Sequence, residues 1–312
     1  MTMSRGSAGS TGPSRSTSLP SLGVIGAGRV GAVLTAALHQ AGHPIAAVAG
    51  ESDASRTRIE TLLPSARIDK PTAVAKSADI LLLTVPDDAL DNVVRMLVAS
   101  GAIHPGQYVV HTSGRHGTDV LRPAIDIGAH GIALHPAMTF TGTDVDLDRL
   151  PGCTYGVTCA ATEQEFVLEL VGALGGRIAW IDEDSRALYH ASLAHGANHL
   201  VTLVSQAMEV LRVAGSTDPA ATLRPLLTAA LDNALDYGDA ALTGPIVRGD
   251  VETVKAHVNS LAASGQPRST VESYVAMARA TANHALADGR LEPRRADAIN
   301  EVLAAALTDA LG

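Results

Sequence analysis

Apolar residues follow two rhythms along this chain, and the change between them divides it. From Leu22 to about residue 182, short apolar runs alternate with stretches whose apolar positions recur every three or four residues. Runs of that length read as buried strands and the 3.6-residue spacing as amphipathic helices. Strands are expected from Leu22 into Gly26 and over 44–49, 66–68, 78–86, 108–112, 131–134, 155–159 and 177–182, with helices over 30–40, 71–77, 89–99 and 162–174. The run 78–86 is almost unbroken in its apolar character, as expected of a central parallel strand covered on both faces. From Asp184 onward the strand rhythm stops. One helical pattern fills 186–213 and is apolar nearly all round between Leu200 and Leu211; further helices are expected over 219–237, 251–263, 270–288 and 293–311. A helix apolar on every side is expected to lie buried among others and to draw part of its cover from a second copy of the chain.

The first strand runs directly into Gly26-x-Gly28-x-x-Gly31, and a helical pattern follows. Gly26 permits a tight turn, Gly28 lets a pyrophosphate approach the backbone, and Gly31 lets helix and strand pack closely. The unpaired N–H groups of the helix start favour a phosphate there. The segment Gly26, Ala27, Gly28, Arg29, Val30 and Gly31 is therefore the candidate dinucleotide site, with Val85, Pro86 and Ser113 at neighbouring strand ends. The fold class is α/β: a Rossmann-like, doubly wound, mostly parallel sheet over 22–182, then an all-α domain over 183–312 built on one long helix. Cofactor choice falls to residues after the second strand. Glu51 lies where an acid would bind ribose hydroxyls and favour NAD. Ser52, Ser55, Arg56 and Arg58 can instead hold a 2′-phosphate, and the reading leans to NADP over NAD.

Composition narrows the partners. Of 312 residues 46% are hydrophobic, yet there are only two Phe, one Trp and five Tyr, so the core is aliphatic and rich in alanine. A formal net charge of -9 argues against nucleic acid or an anionic membrane as partner. Cys153 and Cys159 sit on one expected strand, too poorly placed for a disulfide, which fits a reducing cytoplasm. Residues 1–21 hold Ser, Gly, Thr, Pro and Arg without an acid and read as a disordered tail with no signal or transit peptide.

The chain resembles the bacterial Rossmann-like proteins that carry family 2520 of the domains of unknown function. These lie within the superfamily of β-hydroxyacid dehydrogenases, ketopantoate reductases and pyrroline-carboxylate reductases, whose helical half is like that of 6-phosphogluconate dehydrogenase. The likeness rests on the glycine loop from Gly23, Thr84-Val85-Pro86-Asp87, His111-Thr112-Ser113-Gly114, and His135-Pro136 followed by Thr139-Phe140. It continues in Tyr189-His190-Ala191 with Asn198-His199, and in Leu242-Thr243-Gly244-Pro245 running to Arg248-Gly249-Asp250. The resemblance implies an NAD(P)-dependent reductase-like protein, dimeric through its helical domain. One departure stands out: hydroxyacid dehydrogenases of the superfamily carry a catalytic lysine four residues before an asparagine on the long helix, and here that position is Ala194.

Hydride transfer to a carbonyl needs a proton donor on the substrate oxygen, and histidine suits that task because its pKa lies near working pH. His190 is the first candidate and His135 the second, with Asn198 and Ser113 fixing the substrate by hydrogen bonds. His190 and Asn198 are eight apart, about 80° round an ideal helix, so both can face one cleft. Packing at the domain junction is the alternative for His190. Arg248 can grip a substrate carboxylate or pair with Asp250, which is placed to cap the helix from Val251; His257 can look toward the same cleft. His195 and His199 have metal-compatible spacing but no third ligand nearby, so no metal site is expected. The function expected is reduction of a small carbonyl compound, a 2-oxoacid such as ketopantoate by superfamily analogy. Reduction of a cyclic imine is one rival, and a non-catalytic NAD(P)-binding sensor is the other.

Overall fold

The structure is a computed structural model that describes residues 19–50 and 52–309. Most of the expected tail, residues 1–18, and the cofactor-choice candidate Glu51 lie outside the described residues. The end of that tail is part of the fold: Ser21 donates from its N and Oγ to Asp79 Oδ2 at 2.8 and 2.7 Å. Two compact units divide after Leu193.

In the first unit β1 (Leu22–Ile25), β2 (Ile45–Ala49), β3 (Ile80–Leu83), β4 (Tyr108–His111), β5 (His130–Pro136), β6 (Thr154–Cys159) and β7 (Arg177–Trp180) form one sheet. Their order is β2-β1-β3-β4-β5-β6-β7, and every neighbouring pair is parallel except β5 with β6. β3 is buried at every position because both faces are covered. Ile80 and Leu82 join one apolar cluster with α1 (Arg29–Gln40), while Leu81 and Leu83 join the opposite cluster with α3 (Pro71–Ser77) and α4 (Asp87–Ala99). α2 (Asp53–Leu62), α5 (Arg122–Asp126), α6 (Val145–Arg149), α7 (Gln164–Ala173) and α8 (Arg186–Leu193) complete the unit. The expected strand over 66–68 shrinks to one bridge between Ile68 and Val48, since Pro64 and Pro71 leave little chain free to pair. α5 and α6 were not expected: five residues carry too little periodicity to register.

The expected helix over 186–213 is α8, a π-helical turn over Ala194–Asn198, and α9 (His199–Val213). Gly196 and Asn198, both poor helix formers, lie in that wider turn. The second unit continues with α10 (Pro219–Tyr237), α11 (Val251–Ala263), α12 (Arg268–Ala287) and α13 (Pro293–Asp309). α11, α12 and α13 share a core of Val254, Val258, Val275, Ala282, Ile299 and Leu303. α9 departs from expectation: none of its residues is buried within this chain, and Val201 is 64% exposed. α10 buries only Pro219, leaving Leu226 65% and Leu235 77% exposed.

Candidate functional site

Register sets the site. Ile25, Leu83, His111 and Ala133 lie in one row across β1, β3, β4 and β5, so the chain leaves β1, β3 and β4 together while β5 runs on to Pro136. At the first exit Gly26 has φ +95°, a conformation that L side chains rarely adopt, and a Cβ on Gly31 would strike Thr84 Oγ1. The Thr84 hydroxyl donates to Gly26 O and ties the glycine turn to the end of β3. α1 then starts at Gly28 with no side-chain cap and no acid in its first turn. Its unpaired N–H groups are left for an anion.

This turn opens on a cavity of about 830 Å³ lined by Gly26, Gly28, Arg29, Val30, Ser52, Ser55, Arg58, Thr84, Val85, Pro86 and Thr112. Its size, its glycine cradle and its helix start fit a dinucleotide. Arg29, Arg58, Ser52 and Ser55 gather at one part of the wall; Arg56 does not line it. Ser52 also caps α2, accepting from Ser55 N at 3.1 Å. A loop after β5 presses against both arginines: a Cβ on Gly142 would lie 2.7 Å from Arg58 Nε and 3.0 Å from Arg29 Cγ. Buried Asp146 holds that loop by accepting from Thr141 N and Gly142 N at 2.8 and 2.7 Å.

At the ends of β4 and β5 the structure brings His135 and His190 together beside Gly114, the residue after Ser113. A Cβ on Gly114 would meet His190 Cδ2 at 2.5 Å and His135 Cδ2 at 3.1 Å, so two imidazoles meet where this glycine leaves room. The two rings stand edge to face with centroids 5.8 Å apart. His135 Nδ1 also lies 3.0 Å from the Tyr189 hydroxyl. Burial, with the charge of Arg186 next in weight, pushes the His135 pKa down to about 4, so the ring is neutral near pH 7. Burial raises the Tyr189 hydroxyl above its usual range.

Ser113 is already engaged: its N donates to His111 Nδ1 and its Oγ accepts from His116 N, both at 3.2 Å. His111 is fully buried, and its Nε2 bonds Gly117 O at 2.7 Å. Those partners select the tautomer protonated at Nε2, and burial brings this pKa too down to about 4. Arg186, on the first turn of α8, donates to Ser113 O, His116 O and Gly156 O. These bonds belong to the first unit and carry it past the expected boundary at Asp182.

Asn198 and Arg248 belong to the second unit, and both are exposed there. The π-turn that ends at Asn198 has a wider repeat than 3.6 residues, so the helical phase used to align 190 with 198 does not carry through it. Asp250 caps α11, accepting from Thr253 N at 3.2 Å and Thr253 Oγ1 at 2.7 Å. His257 Nδ1 lies 2.9 Å from the Tyr274 hydroxyl. His195 Nδ1 and His199 Nδ1 are 3.1 Å apart, and no group of three or more His, Cys, Asp or Glu among the described residues is placed to hold a metal ion. Sequence reading passed over Tyr189 and Arg186 as site residues. A signal was present: Arg186, Tyr189 and His190 stand at i, i+3 and i+4, one face of a helix.

Residues 7–136 match the family described as a Rossmann-like domain, and residues 153–281 match the domain of unknown function DUF2520. The two matches follow one another along the chain. The second match begins at the foot of β6, so the helix bearing Arg186, Tyr189 and His190 lies within it, while Ser113 and His135 lie within the first. Among curated proteins the chain is similar to the glycerol-3-phosphate dehydrogenase [NAD(P)+] of Bradyrhizobium diazoefficiens, 32% identical over 170 residues. That match covers 51% of each chain, so this chain spans about half the length of the curated relative it matches. Among solved structures it is similar to a candidate NADP oxidoreductase of Bacteroides fragilis: TM-score 0.71, 20% identity, 85% of this chain and 98% of that one. It is also similar to an imine reductase of a Pseudomonas species: TM-score 0.60, 17% identity, 83% and 92% covered. At such identities the likeness is one of fold. No helix among the described residues is long and apolar enough to cross a membrane.

Proposed function

We propose that the protein is an NAD(P)-dependent reductase of a small carbonyl compound, with NADP favoured and a 2-oxoacid such as ketopantoate as the leading substrate. The observation that carries this reading is the meeting of His135 and His190 at Gly114, with Tyr189 bonded to His135, on the sheet whose β1 exit forms the glycine cradle. The N-terminus of α1 would take the pyrophosphate, and Arg29, Arg58, Ser52 and Ser55 support a 2′-phosphate beside them. A bound reduced nicotinamide supplies a hydride. The substrate oxygen, made negative as the carbon is reduced, takes a proton from this chain.

His190 is the first donor and the Tyr189 hydroxyl the second. Neutral His135 cannot deliver a proton as imidazolium near pH 7, and its role is to hold Tyr189 through Nδ1. Ala194, where superfamily dehydrogenases carry lysine, favours a second reading, a reductase of cyclic imines, for which no strong acid is needed. We further propose a homodimer through α9 and α10, supported by their uncovered leucines and valines, in the cytoplasm, where Cys153 and Cys159 stay free thiols.

The test is a titration with NADPH and NADH followed by nicotinamide fluorescence, after which each complex is challenged with oxoacids and cyclic imines. Tighter binding of NADPH and its oxidation by an oxoacid is the expected result, with turnover lost and binding kept in His190→Ala. Binding of neither nucleotide would sink the reading; binding without oxidation across a broad panel would replace it with a nucleotide sensor.

A further inference from the structure

Arg186 is 1% exposed, yet no carboxylate lies within ion-pair distance of it among the described residues. Its Nε, Nη1 and Nη2 donate to His116 O at 2.9 Å, Gly156 O at 3.0 Å and Ser113 O at 2.6 Å. Three carbonyl dipoles take one N–H from each of its nitrogens without cancelling its charge. Glu183 pulls on it from a distance, but that carboxylate is held by Thr118 N, Thr118 Oγ1 and Asp119 N. A buried cation left unneutralised is a poor device for stability alone, since an apolar side chain of similar volume would pack without the desolvation penalty.

We propose that Arg186 selects the substrate by charge: its buried guanidinium, 5.5 Å from the Tyr189 ring centroid, favours carbonyl compounds whose oxygen gathers negative charge and disfavours iminium ions that arrive positive. This rests on the reductase reading and deepens it. In carbonyl reduction the carbon takes a hydride from the reduced nicotinamide and the C=O π pair moves onto oxygen. That oxygen then takes a proton from His190 or Tyr189, leaving an alcohol and oxidised nicotinamide, and water restores the donor. In iminium reduction the hydride adds to carbon, the C=N π pair returns to nitrogen, and a neutral amine forms. The first path builds negative charge beside Arg186; the second begins with a positive charge that Arg186 repels.

The other charges near His135 do not reverse this field. Arg186, Tyr189 and His190 approach it from α8 and Asp87 from α4, and Arg115 sits 3.6 Å from the Asp87 carboxylate. The depressed pKa of both His135 and His111 has burial as its first cause, and the Arg186 charge adds to it in each. Arg186 touches no reacting atom in this scheme; it acts through its field and through the backbone of Ser113.

The experiment compares Arg186→Met with Arg186→Lys by three readouts. These are kcat/KM for pyruvate, 2-oxobutyrate and ketopantoate against 1-pyrroline and 1-piperideine, NADPH binding by fluorescence, and the titration of the His135 ring by NMR without nucleotide. The wild type should prefer oxoacids. Arg186→Met should lower the oxoacid-to-imine ratio about tenfold or more and raise the His135 pKa, with NADPH binding little changed. Arg186→Lys should keep both the ratio and the titration near wild type. Arg186→Gln, which retains donors for the carbonyls, replaces the methionine variant should that one fail to fold. A wild type that prefers cyclic imines, or a neutral variant with an unchanged ratio, overturns the inference and leaves the reductase reading standing. Nucleotide binding with no turnover of either panel overturns both, and the titration then reports separately whether Arg186 governs the charge at His135.

Discussion

β3 and α9 are both apolar on all sides, and the structure treats them in opposite ways. Each residue of Ile80–Leu83 is buried between two helical layers, whereas no residue of α9 is buried within its own chain. The contrast teaches that an apolar run states how much cover an element needs and not which molecule provides it. A strand inside a sheet finds its cover locally, because the crossovers that join parallel strands lay helices on both faces. A helix at the margin of a unit has no such guarantee, and the apolar sides of α9 and α10 remain open to a partner.

The comparison can be broken by charge, and the largest effect is expected in β3. Leu82→Asp would place an unpaired carboxylate in a dry interior, and no cooperative thermal unfolding should be seen for that variant. Folded Leu82→Asp protein would mean that β3 is less tightly enclosed than the burial indicates. The same chemistry on α10 should spare the fold. Leu226→Asp with Leu235→Asp is expected to weaken self-association by about 3–6 kcal/mol, read by sedimentation equilibrium, while the secondary structure persists. An unchanged mass at all concentrations would refute an interface on that face.

Acid sharpens the contrast, because the first unit buries a histidine and the second leaves all four of its own exposed. His111 is buried with its pKa pushed down to about 4, while His195, His199, His257 and His284 are exposed. Between pH 6.5 and 4 the unfolded chain binds a proton at residue 111 that the folded chain refuses. The stability present above pH 6.5 should therefore fall as pH drops toward 4, by about 3 kcal/mol for this residue. Urea unfolding at pH 7, 5.5 and 4.5 measures it, and a flat profile would contradict a neutral buried His111. The smallest expected effect is at a helix end: Asp250→Ala should lower stability slightly in the same assay, through loss of the two Thr253 bonds.

Much of this fold was legible because its signals are local. The glycine spacing, the apolar run of β3 and the long helical patterns each depend on residues within a few positions of one another, and their elements stand close to where they were expected. The strand over 66–68 failed because prolines outside it decide how much of it can pair. The candidate site was half legible. His135 and His190, read from a strand end and a helix face, lie against each other beside Gly114, while Ser113 bonds to His111, His116 and Arg186. Tyr189 and Arg186 were passed over, because the worth of each lies in a partner far away in sequence: His135 for one, the carbonyls of Ser113, His116 and Gly156 for the other.

By itself the sequence determined the layers of this protein, the order of its elements and the place of the nucleotide turn, since periodicity and glycine spacing act through short-range sterics and burial. Only the tertiary structure decided which groups share a charge environment. Whether His135 is neutral and which carbonyls hold Arg186 depend on distances between segments that the chain brings together from 30 to 73 residues apart. Electrostatics falls off with distance in space and takes no account of distance along the chain.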